Sequence, residues 1–112
     1  MPNRDDTIRM RHMLDAARDA LAFAEGRRRQ DLDNDRMLTF ALVRAIEVIG
    51  EAASKVTPEG QDQATAIAWD AAVGMRNRIV HAYYDIDLDV VWDTVLYDLP
   101  ALVAELEKVL AG

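Results

Sequence analysis

A chain of 112 residues, 51% apolar and 29% charged, has the composition of one globular domain able to bury a core of several helices. It contains no cysteine, which excludes disulfides, thiolate metal ligands and a cysteine nucleophile, and fits a reducing compartment. The formal net charge of −7 argues against a broadly basic nucleic-acid-binding surface.

That charge is unevenly spread. Residues 1–44 hold nine arginines against eight acids, whereas residues 45–112 hold twelve acids against four bases. Eleven of the thirteen basic residues are Arg, the side chain suited to planar, bidentate recognition of carboxylate or phosphate. Contact with RNA would therefore run through a local Arg patch and weaken steeply with salt. The stretch MPNRDDTIRMRHML mixes both charges without an apolar h-region, and no apolar run approaches the ~20 residues that span a bilayer. The expectation is a cytoplasmic protein with no membrane segment.

Helical periodicity dominates from the start. A first helix is expected from about Asp5 to Glu25, because Met10, Leu14, Ala17, Leu21 and Ala24 recur at three- and four-residue steps. Asn3 is its natural N-cap, Asp5 and Asp6 suit the positive end of the dipole, and Gly26 suits the C′ position. The connection RRRQDLDND follows, one of its aspartates capping the next helix. That second helix is expected from about Asp35 to Lys55. Leu38, Leu42, Ala45, Ile49, Ala52 and Val56 form a stripe that Ala41, Val48 and Ala53 widen, as befits a helix with neighbours on two sides. Thr57-Pro58 ends it, since a residue before proline is driven out of the α region. TPEGQDQATA reads as a loop with room for one helical turn.

A third helix is expected from about Ala68 to Tyr84. Asp87 then caps a fourth, which starts at Leu88 and turns Val91, Val95 and Leu99 inward. Pro100 interrupts it, lacking an amide and clashing one turn back, and Leu102, Leu106, Val109 and Leu110 continue the pattern. No useful β-alternation is visible. The chain 1–112 therefore reads as a single all-α domain, a bundle of four main helices with a kinked C-terminal one.

The third segment carries the chemistry, in RNRIVHAYYDID (residues 76–87). If the helix continued through it, Ala72, Met75, Ile79 and Tyr83 would share an inner stripe with Arg76 at its edge. His81 would lie about 140° around from Arg76. Two arrangements could then join Arg76 and His81: the long guanidinium wraps around the helix, or a second chain completes the site. Each residue alone has a plain reading: a solvated His, a surface Arg78, a core Tyr83 with its hydroxyl bonded.

As a set, Arg76, His81 and Tyr83 read R-x4-H-x-Y, with the polar Asn77 directly after the Arg. This resembles the signature of the HepT-like ribonuclease toxins of the HEPN superfamily. The flanks agree: RAIEVIGEAASKV (Arg44 to Val56) is similar to the family's I-G-E-A segment, and VVWDTVLYDLPAL (Val90 to Leu102) to its W-x6-L-P stretch. The likeness covers roughly residues 7 to 110. One departure is IAW at Ile67 to Trp69, where the family commonly has a proline before the Trp, and it bears on where the third helix begins.

The resemblance implies a HEPN-like helical homodimer whose two motifs meet in a cleft, and the two surfaces of the third helix put that helix at the contact. It also implies the toxin half of a type II toxin–antitoxin pair, an endoribonuclease that uses no metal or cofactor. Arg76 and His81 would be catalytic, His81 as general base or acid and Arg76 as stabiliser of the phosphorane, with Asn77 as a supporting hydrogen bonder. Tyr83 resembles the family tyrosine that accepts AMP groups from a minimal nucleotidyltransferase antitoxin, and modification there would silence the enzyme. A different class of function would use the same residues: a non-catalytic subunit that binds a nucleotide or substrate and docks a nucleotidyltransferase. A purely structural helical oligomer would leave the cluster unexplained.

Other candidates are weaker. Asp31-Asp33-Asp35 and Asp85-Asp87-Asp89 mimic the start of a calcium loop but lack its glycine and its final glutamate, so they read as capping and solvation. His12 and His81 have no evident third ligand, so no metal is expected. Arg27, Arg28 and Arg29 suit a solvated loop, and with Arg78 are the residues available to touch RNA or an acidic partner. Glu51 is placed to pair with Arg76 or Arg44. Trp69 and Trp92 read as core or interface.

Overall fold

The computed structural model describes residues 2–82 and 85–112, with His81 and Ala82 described by their backbone. Helix α1 (Arg4–Ala24) starts where expected: Asn3 Oδ1 accepts the Asp6 amide at 2.8 Å. It ends ahead of Gly26, whose φ of 73° is the left-handed conformation that glycine takes without strain. The RRRQDLDND connection contains a short α2 (Asp31–Asn34), after which Asp35 caps α3 (Arg36–Ala53) by accepting the Leu38 amide at 3.0 Å. That amide first, then the Arg27 guanidinium, holds the Asp35 carboxyl below the ordinary aspartate range. Its contribution to stability is therefore present above the ordinary value and is lost as pH falls through the lowered one.

Helix α3 stops a few residues before Thr57-Pro58, so the proline opens the next element instead of closing α3. Thr57 caps the single-turn α4 (Pro58–Asp62), its Oγ1 accepting from Gly60 at 3.2 Å. The same threonine donates to Asp6, through its amide at 2.9 Å and its hydroxyl at 2.5 Å. Asp6 is only 1% exposed, so this carboxylate ties the start of α1 to the far end of α3 out of water. Asp6→Ala leaves the half-buried amide and hydroxyl of Thr57 without their acceptor, and should lower stability by about 2 kcal/mol. In thermal unfolding that is a drop of roughly 10 °C. An unchanged midpoint would show that the clamp carries no stability.

Helices α1 and α3 pack along each other, and α1 also meets the C-terminal helix. The core between them holds Met10, Met13, Leu42, Ile46, Ile49 and Leu106, all fully buried. Each such side chain contributes ~1.5–3 kcal/mol by leaving water. Trp69 and Trp92 are buried at the edges of this core, and Trp69 Nε1 donates to the Ala64 carbonyl at 3.0 Å.

The third helix differs from expectation. It is two five-residue pieces, α5 (Trp69–Val73) and α6 (Met75–Ile79), meeting at Gly74. The chain then leaves the α region, with Val80 at φ −117° and ψ 104°, and forms β1 (Val80–Ala82), antiparallel to β2 (Asp85–Ile86). Ala72, Met75 and Ile79 do face the core, but the helix does not continue to Tyr84. The reason is local. From Ile79 the sequence supplies β-branched and aromatic residues, which lose rotamer freedom in a helix and fit a pleated strand.

Asp87 caps α7 (Leu88–Asp93), accepting from the Val90 amide at 3.1 Å. Helix α7 passes through a π-helical turn, Thr94–Asp98, into α8 (Leu99–Ala111). Pro100 lies at the start of α8, so the expected interruption takes the form of a widened turn, which relieves the clash of the proline ring with the preceding turn. Val91, Val95 and Leu99 all face inward. No helix among the described residues is long and apolar enough to cross a membrane.

Candidate active site

Helix α6 is positioned by a close approach behind it. A Cβ on Gly50 would lie 3.3 Å from the Val73 carbonyl oxygen and 3.4 Å from that of Ala72, so the glycine of the I-G-E-A segment lets α5 rest on α3. Met75 and Ile79 anchor α6 in the core, which leaves Arg76, Asn77 and Arg78 on its outer side.

Arg76 and Arg78 diverge. Arg76 turns toward α3, where its Nε lies 3.5 Å from Glu47 Oε2. The same carboxylate oxygen lies 3.9 Å from Arg44 Nη1, and Arg44 also reaches Glu51 at 3.4 Å. Of the two alternatives for Glu51, the structure selects Arg44. The partner of Arg76 is Glu47, one turn earlier on α3, which the sequence reading did not single out. Glu47 is the most enclosed of this group, its side chain 27% exposed against 50% for Arg76 and 64% for Arg44. Arg78 instead points to the end of the π-helical turn before α8, 3.8 Å from Asp98. It borders a pocket of about 240 Å³ with Ile67, Met75, Tyr97 and Leu102.

His81 lies on β1, two residues past the end of α6, so the rotation estimated for a continuous helix does not apply. Arg76 and His81 come from different elements, joined by one change from helical to extended backbone. Asn77 is exposed beside Arg76, and its backbone N–H donates to the Gly74 carbonyl at 3.0 Å. Tyr83, with its neighbour Tyr84, lies outside the described residues.

The arginine run does not gather at this site. Arg27 pairs with Asp35. Arg29 joins Asp33 at 3.2 Å and Asp89 at 2.7 Å, which straps the loop to α7 and raises its own affinity for the proton, chiefly through the Asp89 hydrogen bond. Arg28 is exposed, and its amide donates to Asp31 at 2.7 Å. Asp31, Asp33, Asp35, Asp87 and Asp89 are thus occupied by backbone amides and guanidinium groups. Among the described residues, no three His, Asp or Glu side chains cluster as a metal site would require.

Next to the Arg76 network, α3 exposes apolar side chains. Met37 is 83% exposed and Phe40 52%, and they precede Arg44, Glu47 and Glu51 on one helical stripe. The Arg36 guanidinium sits 5.3 Å from the centre of the Phe40 ring. A groove of about 490 Å³ runs between α1 and α3, lined by His12, Asp15, Phe23, Ala41, Arg44 and Val48.

The chain is similar to several known proteins. "Putative RNase MJ1216" of Methanocaldococcus jannaschii is 30% identical over 98% of this chain and 91% of its own length. "Putative RNase TTE0752" of Caldanaerobacter subterraneus is 28% identical over 90% of each chain. "Probable ribonuclease HepT" of Thermococcus cleftensis is 35% identical over 70% of this chain and 72% of its own. No solved structure gives a significant match. The family model described as "Ribonuclease HepT-like" matches residues 13–109, from the middle of α1 to near the end of α8 and including the whole R-x4-H-x-Y segment, and the chain belongs to that family of ribonucleases.

Proposed function

We propose that this RNA endonuclease is the toxin of a type II toxin–antitoxin pair, working without a metal as a homodimer. The observation that carries the reading is the motif in its setting. Arg76 stands half exposed on a short helix whose inner face is locked in the core, and His81 follows on the adjoining strand.

The chemistry is a transesterification. A base removes the proton of the ribose 2′-OH, the 2′-oxygen attacks phosphorus, and the 5′-oxygen departs with a proton from an acid. The products are a 2′,3′-cyclic phosphate and a 5′-hydroxyl. Histidine is suited to either proton transfer near neutral pH, and a permanent guanidinium suits the charge that builds on the phosphorane. One chain supplies one His81, so two chains supply both an acid and a base. Asn77, exposed beside Arg76, is the supporting hydrogen bonder. Tyr83 is the point of control, its hydroxyl taking AMP from a cognate nucleotidyltransferase antitoxin.

The dimer contact is the α3 face flanking α6. Met37 and Phe40 are apolar and exposed, and Val73 on α5 adds to them at 41% exposure. Burying them against a second copy would bring two Arg76 networks toward one another around a two-fold axis. Light scattering should give a dimer at micromolar concentration. The double change Met37→Glu, Phe40→Glu should give a folded monomer with cleavage reduced at least ten-fold, because it separates the two half-sites. A fully active monomer would remove the shared site.

RNA cleavage in the presence of a chelator tests the activity itself. Cleavage by protein stripped with EDTA supports the reading. Cleavage restored only by an added divalent ion overturns the metal-free mechanism, and RNA binding without any cleavage favours the non-catalytic subunit.

A further inference from the structure

Arg76 is long, flexible and half in water, yet a phosphate clamp acts only if its donors are aimed before the substrate arrives. Among the described residues, the side chain that meets it is Glu47, and the approach is made by Nε, the inner nitrogen of the guanidinium. Held from that edge, the group would keep its terminal amino groups free to face outward. Glu47 is itself well placed to hold. It stands on α3 directly after the fully buried Ile46, is the least exposed member of the network, and is one turn from the Gly50 contact that sets α5 against α3.

Resting on the ribonuclease reading above, we propose that Glu47 is the positioning residue of the site, holding Arg76 in the orientation that receives the scissile phosphate. Arg44 lies 3.9 Å from the same oxygen, and its closer partner is Glu51 at 3.4 Å. Glu47 touches no substrate atom in this scheme. It acts through Arg76.

Such a residue has opposite effects on binding and on turnover. Its negative charge repels RNA, so removing it should tighten binding, whereas loss of aim should slow the reaction. Glu47→Gln should lower kcat roughly ten-fold. It should also tighten the binding of a non-cleavable 2′-O-methyl RNA oligonucleotide by roughly two- to five-fold, the scale of one exposed charge contact. Glu47→Asp keeps the charge but shortens the reach, so its turnover should fall while binding stays near wild type. Glu51→Gln serves as the control, since Glu51 pairs with Arg44, and its kcat should match wild type.

A double-mutant cycle is the decisive test, read both in cleavage of RNA and in fluorescence anisotropy with the 2′-O-methyl oligonucleotide. If Glu47 acts through Arg76, Glu47→Gln adds nothing to the turnover already lost in Arg76→Ala. Independent, multiplying losses, or equal kcat changes in Glu47→Gln and Glu51→Gln, would overturn the proposal while leaving the ribonuclease reading intact. Should wild type cleave no RNA, the anisotropy cycle still decides. Coupling between residues 47 and 76 would then support Glu47 as the organiser of an anion site and sink the catalytic reading alone. Absence of coupling would overturn both.

Discussion

His81→Ala should cut the rate of RNA cleavage by about 10²-fold or more, and Arg76→Ala should do the same, with the fold of each variant unchanged. The two losses have different origins. Without His81 a proton transfer loses its positioned partner. Without Arg76 the negative charge gathering on the phosphorane loses its fixed cation. Arg76 is half exposed, and its ion pair with Glu47 is long at 3.5 Å, so its removal should change the thermal midpoint little. The two losses should not multiply in a double variant, because groups that serve one transition state act as a unit. Single-turnover rates with enzyme in excess over a labelled RNA measure the chemical step, and circular dichroism checks the fold. A His81→Ala variant that cleaves at the wild-type rate would remove the imidazole from the mechanism.

Tyr83→Phe should leave the enzyme active and make it resistant to its antitoxin. The phenol oxygen is the acceptor that AMP transfer requires. Phe keeps the ring and loses the nucleophile. Each transferred adenylate places a phosphodiester charge three residues after Val80, where the chain has just left α6 and its Arg76. Under the regulation proposed above, a phosphate there would compete with RNA for the guanidinium through a charge-assisted pair. Intact-mass measurement after incubation with ATP and the cognate nucleotidyltransferase should show adenylyl additions on wild type and none on Tyr83→Phe. Equal labelling of both would move the modification elsewhere, with Tyr84 the next phenol in line. An unmodified wild type that is nonetheless inhibited would mean that the antitoxin acts by docking alone.

Much of this architecture is legible in the residues, because periodicity and caps agree. Asn3 and Asp87 each accept a backbone amide at the start of the helix they were expected to open, and of the aspartates in the RRRQDLDND connection it is Asp35 that caps α3. The apolar stripes of α1, α3 and α8 are buried nearly as read, since a helix that packs on two neighbours must repeat its apolar positions at the helical period. The end of the third helix was misread for a specific reason. Extending the period of Ala72, Met75 and Ile79 to Tyr83 ignored Ile79-Val80, where β-branching favours the extended chain. The wide angular separation of Arg76 and His81 belongs only to a continuous helix, and the feature that favours a dimer is the exposed apolar face of α3.

Glu47 escaped for another reason. Glu47 and Glu51 are one helical turn apart on the same face, and either could meet an arginine arriving from α6. Which one does depends on how far α6 is shifted along the axis of α3. Tertiary packing at Gly50 sets that shift, and periodicity within either helix is silent about it. The arginine run misled in the opposite direction. Its charges invited a contact with RNA, yet Arg27 and Arg29 are taken up by Asp33, Asp35 and Asp89, which the sequence alone displays as separate acidic clusters.

The central claim is that Arg76 and His81 drive attack by the ribose 2′-oxygen, and the ends left on the RNA report that step directly. Wild-type protein, stripped of metals and kept in EDTA, should be incubated with a defined single-stranded RNA, and the fragments weighed by mass spectrometry. A 2′,3′-cyclic phosphate is expected on the upstream fragment and a 5′-hydroxyl on the downstream one, with neither formed by His81→Ala. Fragments ending in a 3′-hydroxyl and a 5′-phosphate would mean that water attacked phosphorus, and would contradict it.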